Sequence, residues 1–247
     1  MPEFVIDGLR LHYREAGSGP VLILLPGNTA SSACHDREIE HFSARFRTLA
    51  LDYRGVGRSQ RCGGWTVDWW AQNGRDALAL AEHLGADGVV LVGTSGGAAA
   101  ALCAASERPE GVRAVIADSF VPYQPPETLR GEVIKRREKH PGAVQFWSGA
   151  HGADWEAVVE EDNRLLLALA DAGGVFPGIR LEAIRCPVLF TAGLGDTLLH
   201  RVGEQVVEMT RQVSNGAALL ATGGSHPLMW SKPDVFFRAA DGFLAGV

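Results

Sequence analysis

Residues Val89–Ala105 read "VVLVGTSGGAAAALCAA". An apolar run rich in valine ends at Gly93, and an alanine-rich run opens at Gly96. The first favours a strand covered on both faces, the second a helix. The joint between them, Gly93-Thr94-Ser95-Gly96-Gly97, has the spacing G-x-S-x-G. In a chain with 30 Gly among 247 residues the bare pattern is weak, so its flanks must decide. A strand that turns sharply into a helix strains the middle residue and brings backbones close together. Such a turn needs residues without a Cβ on either side, and it presents the central hydroxyl at the carboxyl end of a sheet.

Similar apolar runs recur along the chain: "VLILLP", "RTLALD", "VRAVIAD", "PVLFTAG" and "AALLATG". Helical patterns lie between most of them, at "CHDREIEHFSARF", at Thr66 to Leu84 with Thr66 as N-cap, and at "KPDVFFRAADGFLA". This alternation predicts an α/β fold with a doubly wound, mostly parallel sheet. At the start, "EFVI" and "LRLHYREA" flank Asp7-Gly8 and predict an antiparallel hairpin. Between "VIADSF" and "CPVLFTAG" the rhythm breaks. That long segment holds helical stretches at Leu129 to Lys139 and Trp155 to Ala172 and no convincing strand, which predicts a helical insertion. The expected organisation is a core of residues 1–121 and 182–247 with a helical lid at 122–181.

The net charge of −6 argues against a nucleic-acid-binding face. No apolar stretch is long enough to span a membrane, and no leader pattern is visible, so a cytoplasmic protein is expected. The four cysteines are widely spaced and suit reduced thiols rather than disulfides or zinc. No metal site and no cofactor are expected.

The elbow context makes Ser95 a candidate nucleophile, and serine needs a base. His226, in "LLATGGSHPLMW" after the last strand-like run, falls at the same sheet edge. Asp196 closes "FTAGLGD" after the penultimate run and would orient the imidazole. Asp118, closing "VIAD", is the rival acid. The backbone N–H groups of Gly96 and of Asn28, in "LLPGNTASS", are candidate oxyanion donors. Gly27, Thr29, His35, Asp118, Phe120 and Trp147 are candidate pocket residues.

Taken together, the hairpin, the "PGN" loop, "LDYRGVGRS", "GTSGG", "AGLGD" and "SHP" resemble the α/β-hydrolase fold over essentially the whole chain. The resemblance is nearest to valacyclovir-hydrolase-like and esterase/haloperoxidase-like members with a helical lid. It implies a Ser-His-Asp hydrolase acting without a cofactor. Two positions depart from the pattern: Pro26-Gly27 stands where His-Gly is usual, and Gly96 stands where valacyclovir-hydrolase-like enzymes carry an acid. The reading that follows is a serine hydrolase for carboxylic esters of small, largely apolar substrates, acting as a monomer or homodimer. Thioesterase, lactonase, amidase or C–C hydrolase chemistry with the same triad remains open, as does a slow-turnover small-molecule receptor.

Overall fold

The structure, a computed structural model, describes residues 2–247. Eight strands form one sheet in the order β1-β2-β4-β3-β5-β6-β7-β8. The hairpin of β1 (Glu3–Ile6) and β2 (Leu9–Ala16) turns through Asp7 and Gly8, both at positive φ. β2 then pairs antiparallel with β4 (Arg47–Leu51). β3 (Val21–Leu25), β5 (Val89–Thr94), β6 (Val112–Asp118), β7 (Val188–Gly193) and β8 (Gly216–Ala221) continue the sheet in parallel.

Nine α-helices surround the sheet among the described residues: α1 (Asp36–Phe42), α2 (Trp69–His83), α3 (Gly96–Glu107), α4 (Pro126–Arg137), α5 (Pro141–His151), α6 (Trp155–Asp171), α7 (Val202–Gln212), α8 (Leu228–Ser231) and α9 (Pro233–Leu244). Strand alternation divides the core into two layers. Ile23, Leu25 and Leu91 face α2 and α3, packing with Leu78, Leu80 and Ala101. Leu22, Leu24 and Val92 face α1 and α9, packing with Phe42 and Phe236. Continuous apolar runs are what a strand needs when both of its faces meet helices.

Local differences from the sequence reading have physical reasons. β8 is not buried on both faces, because it is the sheet edge and most of its residues are half-buried or exposed. α2 starts at Trp69 rather than near Thr66, since the Thr66 carbonyl accepts the Trp69 N–H in a preceding turn. α7, unanticipated, fills the crossover from β7 to β8. Three helices, α4 to α6, occupy the connection between β6 and β7. All four cysteines are free thiols. Among the described residues no helix is long and apolar enough to cross a membrane.

Candidate active site

Ser95 follows β5 directly and precedes α3, at φ 53° and ψ −122°. This is a costly conformation for a residue with a Cβ. Two contacts enforce it. The Ser95 N–H donates to the Asp118 carbonyl at the end of β6 at 2.8 Å. The backbones of Gly93 and Gly97 close on each other and on Leu25 of β3, so a Cβ at either glycine would collide with a carbonyl. The strain therefore aims the side chain of Ser95 outward.

His226 sits on the loop between β8 and α8, and Asp196 on the loop after β7. Asp196 Oδ2 lies 2.7 Å from His226 Nδ1. Its other oxygen accepts the N–H groups of Leu198 at 2.9 Å and Leu199 at 3.3 Å, so the carboxylate is fixed from both ends. A carboxylate only accepts, so in the neutral ring Nδ1 carries the proton and Nε2 keeps a lone pair. Ser95 Oγ and His226 Nε2 are not hydrogen-bonded to each other. Such bonds commonly tighten only with substrate in place.

Asp118 occupies the end of β6, fully buried. It accepts the hydroxyls of Thr191 at 2.7 Å and Thr94 at 3.2 Å, and the Met229 N–H at 3.2 Å. Burial pushes its carboxyl up to about 6, although these donors and the neighbouring His226 oppose the rise. Beside it, Ser119 (φ 52°) accepts the Leu228 N–H at 2.8 Å. The end of β6 thus grips the backbone that follows His226.

On the other side of Ser95 is the loop after β3. A Cβ at Gly27 would stand 3.2 Å from the Ser95 Cβ. The side chain of Asn28 is held by Trp70 Nε1, which donates to its Oδ1 at 3.2 Å, and by Asp162, whose Oδ2 accepts from its Nδ2 at 2.9 Å. Its Oδ1 lies against Gly96, where any Cβ would overlap it. The backbone N–H groups of Asn28 and Gly96 have no acceptor among the described residues. Two unsatisfied donors beside a strained serine form a place for developing negative charge, and the start of α3 adds a favourable dipole.

Asn28, Ser95 and Gly96 line a small cavity of about 60 Å³ together with Phe120, Leu166 and Phe176. Arg136 and Glu132 of α4 also reach it. Arg136 pairs with Asp162 at 2.6 Å and with Glu132 at 3.2 Å, so the charges at that end are met within the protein. A larger, shallow groove of about 820 Å³ along α7 contains none of Ser95, His226 and Asp196.

Of the candidate pocket residues, Phe120 lines the cavity and Gly27 abuts Ser95. The others lie elsewhere. His35 is buried against Glu38, with its Nδ1 3.2 Å from Oε2. Trp147 stacks on Trp155 at 5.5 Å. Thr29 turns its carbonyl to His151, and Asp118 is buried at the end of β6, outside the cavity lining. Sequence reasoning missed Trp70, Ser119, Arg136 and Asp162. Only Ser119 had a local signal, since it adjoins a strand end.

A family model for the alpha/beta hydrolase fold matches residues 20–172, and the chain belongs to that family. It is similar to 2-(acetamidomethylene)succinate hydrolase of Mesorhizobium japonicum, 36% identical over 125 residues. That match spans 50% of this chain and 44% of the relative, so the matched part of the chain spans less than half the length of that protein. Serine hydrolase BPHL of Mus musculus is 27% identical over 97% of this chain and 84% of its own. A crystal structure of E-2-(acetamidomethylene)succinate hydrolase superposes with TM-score 0.78 at 22% identity, covering 99% of this chain and 98% of that one, which speaks for the fold alone.

Proposed function

We propose that the protein is a serine hydrolase that cleaves carboxylic esters of small, largely apolar substrates. The observation that carries this reading is the 2.7 Å contact of Asp196 with His226 Nδ1, at the same sheet edge as a serine held at φ 53° after β5. With Nδ1 protonated, Nε2 accepts the Ser95 proton as Oγ attacks the carbonyl carbon. The carbonyl electron pair moves to oxygen, where the N–H groups of Asn28 and Gly96 receive it. As the C–O bond breaks, the imidazolium returns its proton to the departing alkoxide, and an alcohol leaves. Water, deprotonated by His226, then attacks the acyl-enzyme and releases the acid.

The walls near Ser95 include Phe120, Leu166, Phe176 and Leu198, and the space is small. This favours a short, apolar acyl group. The helices α4 to α6 act as the lid over that group. Gly96 supplies no carboxylate for a substrate ammonium, and the crowding there leaves no room for one. Neutral acyl esters are therefore preferred over their α-amino analogues.

The resemblance to 2-(acetamidomethylene)succinate hydrolase favours a second reading, an amide substrate handled by the same groups. His226 would then protonate a leaving amine. A panel of p-nitrophenyl esters of graded acyl length and matching anilides, read with wild type and Ser95→Ala, tests both readings. Ser95→Ala should fold normally and lose at least roughly 10⁴-fold in kcat. A folded Ser95→Ala with near wild-type turnover removes the proposal.

A further inference from the structure

The β-turn after β3 is closed by the Ala30 N–H on the Gly27 carbonyl at 3.1 Å. Its third residue is Thr29 at φ 59°. Turns with positive φ at that place usually hold glycine or asparagine, and a β-branched residue there must be held from outside. The holder is His151, at the end of α5. Its Nε2 lies 2.9 Å from the Thr29 carbonyl oxygen. Its Nδ1 accepts the Gly57 N–H at 3.2 Å. An N–H can only donate, so the proton of a neutral ring sits on Nε2 and points at Thr29.

A second contact runs parallel to this one. Ser31 Oγ donates to the Ala150 carbonyl at 2.8 Å, tying the same loop to the same helix end. From the core side, Asp52 accepts the Ser32 N–H at 2.6 Å and the Arg58 N–H at 2.8 Å. The "LDYRGVGRS" stretch thus anchors the loop and presents Gly57 to the imidazole. If Thr29 relaxed to negative φ, the peptide between Asn28 and Thr29 would turn over. That flip would turn the Asn28 carbonyl and the Thr29 N–H and shift the turn that carries the Asn28 N–H.

We infer that His151 is a positioning residue for the reaction: by donating through Nε2 to the Thr29 carbonyl, it holds the oxyanion loop so that the Asn28 N–H faces the tetrahedral intermediate. This rests on the serine-hydrolase reading above. It assigns to α5 a part in transition-state stabilisation besides its place in the lid.

The test compares His151→Asn with His151→Gln, using p-nitrophenyl butyrate and a trifluoromethyl ketone. In the ketone complex Ser95 Oγ bonds to the carbonyl carbon, its proton goes to His226, and the oxyanion remains. Asn places its oxygen where Nδ1 was, so it keeps the Gly57 contact and falls short of Thr29. Gln reaches Thr29 with its amide N–H. Asn should lower kcat about 10- to 100-fold, less than the roughly 10²- to 10³-fold of outright loss of an oxyanion donor, with KM within twofold and ketone affinity reduced by a similar factor. Gln should stay within about threefold of wild type on both readouts, far less than the loss of an oxyanion donor.

Unchanged kcat in Asn, a loss confined to KM, or a loss in Gln with Asn active overturns the inference. Nitrogen NMR of the wild type supplies a measurement independent of variant folding. The His151 Nε2–H resonance should shift when the ketone adduct forms, and a resonance that does not move also overturns it. Wild-type turnover that survives Ser95→Ala overturns the parent reading and the inference with it, whereas Ser95-dependent turnover with an active Asn variant sinks the inference alone.

Discussion

The ends of β6 and β7 carry the same residue type one strand apart, and they do different work. Asp196, after β7, reaches an imidazole nitrogen at 2.7 Å. Asp118, ending β6, reaches two threonine hydroxyls and a backbone N–H. Both are buried and both belong to the carboxyl edge, so position cannot separate them. The loop geometry does. Asp196 sits beyond its strand in a glycine-flanked turn and can swing toward His226. Asp118 is still in the strand, paired with Thr94 and Thr191, and its carboxylate meets what packs against the strand tip. A carboxylate just past a strand end can serve a neighbouring loop, whereas one within the strand serves the scaffold.

The largest test of this contrast is Asp196→Asn. It keeps the shape but lets Nδ1 lose its proton to the wrong tautomer, and kcat should fall of order 10³- to 10⁴-fold. A nearly silent Asp196→Asn beside a dead Asp118→Asn would reverse the two roles. Next in size, Asp118→Asn should lower kcat about tenfold: it removes a negative charge near His226 and loosens the Met229 contact, without touching the proton path. A 10³-fold loss there would make Asp118 part of the chemistry.

Asp118 also marks the protein's pH response. Its folded value of about 6 lies above the unfolded carboxyl near 4. Between those values the folded state binds more protons than the unfolded one. The group's relative stabilisation is therefore complete below about pH 4 and is lost as pH rises through about 6. Asp118→Asn should remove that slope, so its Tm should gain on wild type between pH 4 and 6, by up to about 3 kcal/mol in stability for a two-unit difference. Parallel Tm profiles for the two proteins would refute this. Last, every oxygen of both carboxylates already has a protein donor, so prolonged treatment with a strong chelator should leave turnover within experimental error. A loss restored by zinc or manganese would count against it.

The sheet was legible because each buried strand announces itself in a contiguous run, and a residue at a strand tip inherits a known edge. That is how reading alone assigns Ser95, His226 and Asp196 to one sheet edge, where the structure seats Asp196 against His226. The opposite wall was not legible in the same way. Asn28 meets Asp162 across 134 positions, and Thr29 meets His151 across 122. A contact between a turn and a distant helix leaves no periodicity and no local motif at either end. The pocket expectations for His35 and Trp147 rested on loop position or aromatic character, and each found a partner elsewhere, in Glu38 and Trp155. β8 kept its apolar pattern despite being an edge, which is why exposure there escaped the sequence.

The crowding at Gly96 has a consequence for descent. A side chain at that position would run into Asn28 Oδ1 and stand 2.9 Å from Trp70 Nε1, and Asn28 is in turn engaged with Asp162. Gly96→Asp on the present background should therefore displace the Asn28 side chain and lower kcat, while the same change after Asn28→Gly should cost less. The two substitutions are coupled, and the cost of the second depends on the first. A lineage with this architecture reaches an acid beside its serine at lower cost when the asparagine goes first, so one order of mutational steps is favoured.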